Sequence, residues 1–291
     1  MIRASGLSTF APAHADSSSL GVLSIHLDGQ PCRVGCEFCY LGARDGDAGG
    51  TLDLALIEDL LGRLAYAEVA VAVSEPADAA LAPLAVIVRA AGARGRPVSI
   101  TTTAQALAAS PAIADGVSRV NLSVDPRKGL TSPARIARVA ASVRAPGREI
   151  VLIVSLVTPA FAAALVDGGL LGALVELPAV DRVALSALKP PPPWCDRGFW
   201  LRTAARLAPL LAKHLDRRLF LDCWVAARLL RLGDCPARPD ISPGPGGRAA
   251  FRSCVYQPAP DFLFSDGADL AARLVDFRAP SACPFPFRME P

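Results

Sequence analysis

The amino-acid sequence predicts an α/β fold, namely a partial (β/α)6-type TIM barrel of parallel strands with helices outside. Short segments rich in Val, Ile and Leu alternate with amphipathic, helix-like segments from residue 20 to about residue 225, a pattern typical of parallel sheets covered by helices. The alternation gives six or seven strand–helix units, the number expected for a partial or complete barrel. Hydrophobic residues make up 52% of the 291-residue chain, which is enough apolar material for a large core.

The predicted elements follow from two hydrophobic patterns. Strands are placed on short β-branched runs, and helices on stretches where apolar residues recur every three or four positions. The predicted strands cover residues 20–27, 68–73, 97–102, 119–124, 150–157, 182–188 and 219–225. The predicted helices cover residues 52–66, 81–91, 134–143 and 200–214. Residues 104–114 are predicted as a short, interrupted helix, and residues 161–175 as helical in parts. The longest apolar stretch, residues 150–166, contains Pro159, so we interpret it as a strand followed by a helix rather than as a membrane span.

Two proline-rich segments indicate where the core ends. Residues 190–193 are four consecutive prolines after a predicted strand, and they form a stiff turn that no helix can include. Residues 235–247 are rich in Pro and Gly, which favours irregular structure. We therefore expect an N-terminal arm at residues 1–19, the barrel core at residues 20–225, and an irregular, cysteine-containing C-terminal extension at residues 226–291 that covers the barrel mouth.

The charge balance argues against nucleic acid as the main partner. Lys and Arg number 30 against 27 Asp and Glu, a net charge of +3, and no dense basic run marks a nucleic-acid surface. The first twenty residues contain no apolar run of secretory length, so the sequence predicts a cytoplasmic protein with no membrane partner. In that reducing compartment the eight cysteines are expected to be free thiols rather than a disulfide framework.

Three of the cysteines lie in one short segment that follows the first predicted strand. Cys32, Cys36 and Cys39 have the spacing Cys-x3-Cys-x2-Cys. Thiolates are the soft ligands that iron–sulfur clusters require, and three of them can hold three irons of a 4Fe-4S cluster. No fourth cysteine lies nearby, so one iron would keep an open coordination position, as reactive metal sites do.

This segment closely resembles the signature of the radical S-adenosylmethionine (SAM) superfamily in its spacing, in its position after the first strand, and in the aromatic Phe38 before the last cysteine. The resemblance implies that Cys32, Cys36 and Cys39 ligate a 4Fe-4S cluster whose fourth iron is chelated by SAM, with Phe38 beside the cofactor. It implies reductive cleavage of SAM to a 5′-deoxyadenosyl radical that abstracts hydrogen from a small molecule or a peptide. A flavodoxin or ferredoxin would supply the electron.

Three further residues at predicted strand ends are candidates for SAM binding on the same resemblance. Glu75 stands where the family carries Gly-Gly-Glu, which binds the amino group of SAM, although Val and Ser replace the two glycines. A solvent-facing carboxylate in a loop is the alternative. Ser123 and Asp125 are similar to a Ser-x-Asp stretch of the family and alternate onto one strand face, so both are candidates for contacts to the ribose or carboxylate of SAM. Helix capping is the alternative role for Asp125.

Two questions stay open at the level of the sequence. The first concerns the remaining cysteines, which are Cys195, Cys223, Cys235, Cys254 and Cys283. The last four either hold a second iron–sulfur cluster or are buried apolar side chains, and Cys195 either lines the cavity or packs in the core. The second question is the class of site. An iron–sulfur electron-transfer protein without SAM cleavage would also use the triplet, as would a zinc-stabilised scaffold with His26 as the nearest fourth ligand.

Overall fold

The structure, a computed structural model, describes residues 21–27, 51–73, 77–128, 130–167, 169–187, 194–215, 217–222, 225, 240–253 and 259–276. Over these residues the chain is an α/β protein with a mostly parallel sheet and helices around it, as the sequence predicts. The chain divides into two compact units. The first consists mainly of residues 14–120 and 237–288, and the second mainly of residues 121–236.

The described elements alternate between strand and helix over most of the chain. The strands are β1 (Val22–His26), β2 (Glu68–Ala72), β3 (Val98–Thr102), β4 (Arg119–Val124), β5 (Glu149–Leu156), β6 (Arg182–Ala187), β7 (Leu219–Leu221), β8 (Asp240–Pro243), β9 (Ala249–Arg252) and β10 (Phe262–Phe264). The helices are α1 (Leu54–Arg63), α2 (Leu81–Gly92), α3 (Ala104–Ala109), α4 (Pro133–Ser142), α5 (Pro159–Val166), α6 (Leu170–Val175), α7 (Arg197–His214) and α8 (Gly267–Asp276).

In the first unit the strands are hydrogen-bonded in the order β10-β9-β8-β1-β2-β3. β1 is parallel to both of its neighbours, β2 and β8, and β2 is parallel to β3. β9 is antiparallel to β8 and to β10. The first strand therefore lies inside the sheet rather than at its edge, and the cysteine segment follows an interior strand.

The two faces of this sheet differ in chemistry. Successive side chains of a strand point to opposite faces. Leu23 and Ile25 of β1 are completely buried on one face, which is typical of a surface covered by helices. Ser24 and His26 lie on the other face, where the register pairs them with two alanines of β2. Small and polar side chains therefore lie on this second face of the sheet near the carboxyl end of β1.

The C-terminal segment is more regular than the sequence predicts. Irregular structure is predicted for residues 226–291, but the described part of this segment forms β8, β9, β10 and α8. The loop between β8 and β9 contains Gly246 and Gly247 at φ values of +67° and +74°, a backbone region that glycine enters without a steric penalty. Strands of four residues separated by Pro and Gly show no readable hydrophobic period. Only their pairing with β1 and with each other reveals them.

In the second unit β4, β5, β6 and β7 are neighbours in this order, and β5, β6 and β7 pair in parallel. Residues 161–175, predicted to be helical in parts, fall in α5 and α6, and Gly169 between these helices has a φ of +70°, which interrupts the helical backbone. α7 begins earlier than predicted, since Asp196 accepts a hydrogen bond from Phe199 N and caps its first turn.

No helix in the described ranges is long and apolar enough to cross a membrane.

Candidate functional site

Most residues of the predicted cofactor site lie outside the described part of the structure. They are Cys32, Cys36, Cys39, Phe38 and Glu75. Their roles therefore stay predictions. Within the described part are Ser123, Asp125 and the residues that flank the cysteine segment on both sides.

The flanking residues locate the start and the end of the cysteine segment. β1 ends at His26, and α1 begins at Leu54. Leu52 N donates a 3.0 Å hydrogen bond to Leu27 O, so the residues before and after the segment meet directly beyond the carboxyl end of β1. The stretch of chain that carries the three cysteines therefore leaves from, and returns to, the carboxyl edge of the sheet.

A buried polar cluster of His26, Asp240, Ser242 and Arg252 lies at this end of β1, and we call it the His26 cluster. His26 Nε2 lies 2.9 Å from Asp240 Oδ1, and Arg252 Nη1 lies 3.9 Å from Asp240 Oδ2. Arg252 Nη1 also donates a 2.6 Å hydrogen bond to Ser242 Oγ. The side chains of Asp240 and Arg252 have no exposed surface, and that of His26 is 4% exposed. Two opposite charges and an imidazole are thus held together away from water.

The sequence analysis considers His26 only as the nearest candidate for a fourth zinc ligand, and it does not select Asp240 or Arg252. Within the described residues, no group of three or more His, Cys, Asp and Glu side chains is placed to hold a metal ion. A histidine in an otherwise apolar strand is a signal that a polar group must face it. The polar group that faces His26 is the carboxylate of Asp240 in the C-terminal segment. The parallel pairing of β8 with β1 brings Asp240 next to His26.

A second ionic network lies near the opposite, amino ends of the strands. Glu68, at the start of β2, accepts hydrogen bonds of 2.7 and 3.0 Å from Arg119 Nη1 and one of 2.6 Å from Ser99 Oγ. The side chain of Glu68 is 9% exposed and that of Arg119 is 20% exposed. Groups at the amino ends of parallel strands serve stability rather than chemistry, and we assign this network to stability.

In the second unit Ser123 and Asp125 lie at the carboxyl end of β4 and are 8% and 1% exposed. Asp125 Oδ1 accepts a 2.9 Å hydrogen bond from Arg127 N, a contact that Asp commonly makes with the backbone two residues ahead. This contact fits the capping alternative, because it orders the short 3-10 turn at Pro126–Lys128. A role of Ser123 and Asp125 in cofactor binding stays a prediction.

Asp222 lies at the carboxyl ends of β6 and β7, and the sequence analysis did not select it as a site residue. Asp222 Oδ2 accepts hydrogen bonds from Ser186 Oγ at 2.8 Å and from Ala187 N at 3.2 Å. Asp222 Oδ1 accepts a 2.7 Å hydrogen bond from Val225 N. Oδ2 therefore connects the carboxyl ends of β6 and β7, and Oδ1 holds the backbone of Val225, four residues after the end of β7. The predicted strand at residues 219–225 contains Asp222, whereas β7 ends at Leu221, so this role of Asp222 was missed.

Of the two roles considered for Cys195, packing is the one that its surroundings favour. Cys195 is a free, buried thiol, and Trp200 Nε1 donates a 3.0 Å hydrogen bond to its carbonyl oxygen. Burial, with the negative charge of Asp196 as the second cause, raises the pKa of the thiol to about 12. Because the thiolate is the nucleophilic and metal-binding form of cysteine, a thiol held protonated is a poor ligand and a poor nucleophile.

We expect Cys195 to resist alkylation in the folded protein. Its thiol stays protonated at pH 8, since its pKa is raised to about 12, and the thiol form reacts slowly with iodoacetamide. Peptide mass spectrometry after labelling in native buffer and in urea measures the difference. The same residue should be modified readily once the chain is unfolded. Labelling of Cys195 at equal rates in both conditions would contradict the packing role.

The remaining C-terminal cysteines are Cys223, Cys235, Cys254 and Cys283, and they lie outside the described residues. A second iron–sulfur cluster therefore stays a prediction.

Two comparisons with known proteins identify no relative. A search against protein-family models finds none that matches this chain, and a search of curated proteins finds no match either. The residues and their placement are therefore the basis for a functional assignment.

Proposed function

We propose that this chain is a radical SAM enzyme, in which a 4Fe-4S cluster held by Cys32, Cys36 and Cys39 serves the reductive cleavage of S-adenosylmethionine. The substrate is a small molecule or a peptide, and the reductant is a flavodoxin or a ferredoxin. Residues 20–225 form the catalytic core as a partial barrel, and residues 226–291 contribute to its open end. The enzyme acts in the cytoplasm.

One observation supports this proposal, namely the contact between the residues that flank the cysteine segment, at the carboxyl end of β1. The 3.0 Å hydrogen bond from Leu52 N to Leu27 O joins both sides of the segment beyond β1. Loops at the carboxyl edge supply the catalytic and binding groups of parallel α/β proteins. Three cysteines at the amino edge would favour a structural role instead.

The donor set fits an iron–sulfur cluster better than a closed zinc site. Three thiolates can ligate three irons and leave the fourth iron for SAM, whereas a structural zinc site needs four protein ligands. The nearest nitrogen candidate, His26, directs its Nε2 to Asp240 Oδ1 at 2.9 Å. When bound, the cluster would supply the electron that cleaves the sulfonium C–S bond of SAM.

The side chains around the cluster would bind SAM and keep water away from it. Glu75 would accept a charge-assisted hydrogen bond from the ammonium group of SAM. Ser123 and Asp125 would offer oxygen atoms to its ribose, and Phe38 would offer an apolar surface. Ser123 is 8% exposed and Asp125 is 1% exposed, so both side chains lie inside the protein rather than at its surface.

Product formation by the full-length protein under anaerobic conditions tests the proposal. After reconstitution with iron and sulfide and reduction with dithionite, we expect conversion of SAM to 5′-deoxyadenosine and methionine, measured by liquid chromatography and mass spectrometry. We also expect added SAM to change the electron paramagnetic resonance spectrum of the reduced protein.

Two other outcomes would reject the proposal, and each identifies an alternative. A reducible cluster with a spectrum that ignores SAM, and with no 5′-deoxyadenosine formed, would identify an electron-transfer protein. Stoichiometric zinc with no brown chromophore after anaerobic purification would identify a zinc-stabilised scaffold.

A further inference from the structure

The outer face of α7 exposes a large apolar side chain. The inner face of the helix packs into the second unit through buried residues that include Trp200, Leu207 and Leu211. On the outer face Leu201 is 58% exposed, and it is the most exposed large apolar side chain among the described residues. A single exposed leucine is ordinary on a protein surface, and only its neighbours make it part of a contact surface.

The neighbours of Leu201 on this face are two arginines and an alanine. Arg197 lies one turn before Leu201, Ala205 lies one turn after it, and Arg202 is the next residue, and all three are exposed. Residues four apart are neighbours on a helix, so these side chains form one continuous surface with Leu201, which we call the Leu201 surface. Arginine is enriched at protein interfaces, whereas Lys and Glu are depleted there.

The positive charge of the Leu201 surface is not neutralised within the part of the chain that the structure describes. There, the guanidinium groups of Arg197 and Arg202 make no ion pair. The two cations farther along α7 do, since Arg206 and Lys213 lie 3.5 and 2.7 Å from carboxylate oxygens of other helix ends. The uncompensated charge of α7 is therefore concentrated beside Leu201.

The position of Arg197 opposes the local electrostatics of the helix. The amino end of a helix carries a partial positive charge, so a cation in the first turn lowers helix stability. Arg197 is the first residue of α7, and the carboxylate of Asp196 before it caps the first turn. Residues that conflict with their local structure in this way are expected at functional positions.

The Leu201 surface lies on the side of the second unit where parallel α/β proteins carry their functional groups. β6 and β7 are parallel, so α7, which connects them, begins beyond the carboxyl end of β6 and returns to the amino end of β7. The bridge between Leu215, which follows α7, and Leu219, the first residue of β7, places the carboxyl end of the helix there.

We propose that the Leu201 surface is the docking site for a flavodoxin, with Leu201 at the centre of the contact and Arg197 and Arg202 paired with carboxylates of the partner. This inference rests on the proposed function, which requires a protein that delivers an electron. A flavodoxin presents the apolar edge of its flavin ring at its surface, and an apolar centre surrounded by charges is the common pattern of a protein interface.

The charges of the surface select an acidic partner. Two guanidinium groups without a counter-charge attract carboxylates and repel a basic surface. They also argue against two copies of this chain docked through the Leu201 surface, because two-fold symmetry brings the same patch of both copies together and would place four arginines at one interface.

Surface plasmon resonance of the full-length protein on an immobilised, acidic flavodoxin tests the docking. We expect the dissociation constant to rise about tenfold in Leu201→Ser and again about tenfold in the double variant Arg197→Glu/Arg202→Glu. Added salt should weaken binding of the wild-type protein more than that of the double variant, since salt screens exposed charges. The matched control is Arg138→Glu/Arg217→Glu, which changes the net charge equally at two exposed arginines of the second unit and should bind like the wild type.

The choice of reductant separates docking from catalysis. Dithionite is a small molecule that needs no docking surface, so the double variant should form 5′-deoxyadenosine at the wild-type rate with dithionite. With limiting reduced flavodoxin its rate should fall about tenfold, as its affinity does. Wild-type affinity and wild-type rates of the double variant would overturn the proposal. Tighter binding of a ferredoxin than of the flavodoxin, or a dimer in sedimentation that Leu201→Ser dissociates, would assign the surface to another occupant and also overturn it.

Binding and product formation together distinguish failure of this inference from failure of the proposed function. If the wild-type protein forms no 5′-deoxyadenosine with either reductant, the proposed function fails, and the dissociation constants still decide whether flavodoxin docks at the Leu201 surface. If the wild-type protein is active with dithionite but binds no flavodoxin, the docking site is overturned and the proposed function stands.

Discussion

Replacement of Cys32, Cys36 and Cys39 together by Ala is expected to remove the proposed cluster and all SAM cleavage. The reconstituted wild-type protein should hold about four irons and four sulfides per chain, and the triple variant close to none. Iron without thiolate ligands is lost when the protein is desalted, because no other soft donor in the segment replaces them. Iron and sulfide assays, together with 5′-deoxyadenosine yield, measure the effect.

Cys195→Ala is the matched control for the triple variant. Cys195 is buried, and its raised pKa of about 12 keeps the thiol protonated, so its loss should leave iron content and activity at wild-type values. Wild-type 5′-deoxyadenosine formation by the triple variant would contradict the proposed function. About four irons left in an inactive triple variant would instead show a second cluster, with Cys223, Cys235, Cys254 and Cys283 as its candidate ligands.

Loss of the cation that faces Glu68 is expected to cause a large loss of stability. Arg119→Met should lower the free energy of unfolding by about 3 kcal/mol, the effect of leaving one partner of a buried ion pair without its counter-charge. The Glu68 side chain is 9% exposed, and it now accepts two hydrogen bonds from Arg119 Nη1. Urea denaturation followed by circular dichroism measures the change.

An exposed ion pair of the same composition provides the control. Arg89 and Glu58 form a salt bridge whose side chains are 67% and 48% exposed, so Arg89→Met should cost at most about 1 kcal/mol. The double variant Glu68→Leu/Arg119→Met should be more stable than Arg119→Met alone, because it removes both charges. Equal unfolding free energies for Arg119→Met and Arg89→Met would contradict a stabilising role for the network at the amino ends.

Local patterns were sufficient for most of the elements between residues 20 and 225. β4 spans Arg119–Val124, the range predicted from the sequence, and α1 and α2 begin and end within three residues of their predicted bounds. These segments are long and periodic, and their side-chain pattern depends on one buried face. Where the pattern was weaker, residues 161–175 were predicted only as helical in parts, and Gly169 at positive φ is the residue that separates α5 from α6.

The C-terminal strands could not be predicted for a different reason. β8 and β9 have four residues each and are joined through Gly and Pro, so their own sequence does not favour a strand. Their stability comes from backbone hydrogen bonds to β1 and to each other. Such non-local pairing leaves no periodic signal in the segment that is paired.

The amino-acid sequence by itself determined the alternation of strands and helices and the candidate cluster ligands, because both depend on neighbours close in the chain. Cys32, Cys36 and Cys39 are recognisable from their spacing alone. Only the tertiary structure decided that Asp240 lies between His26 and Arg252 and that Leu27 and Leu52 meet beyond β1. Those contacts join residues remote in sequence, and their partners are chosen by the order and register of strands in the sheet.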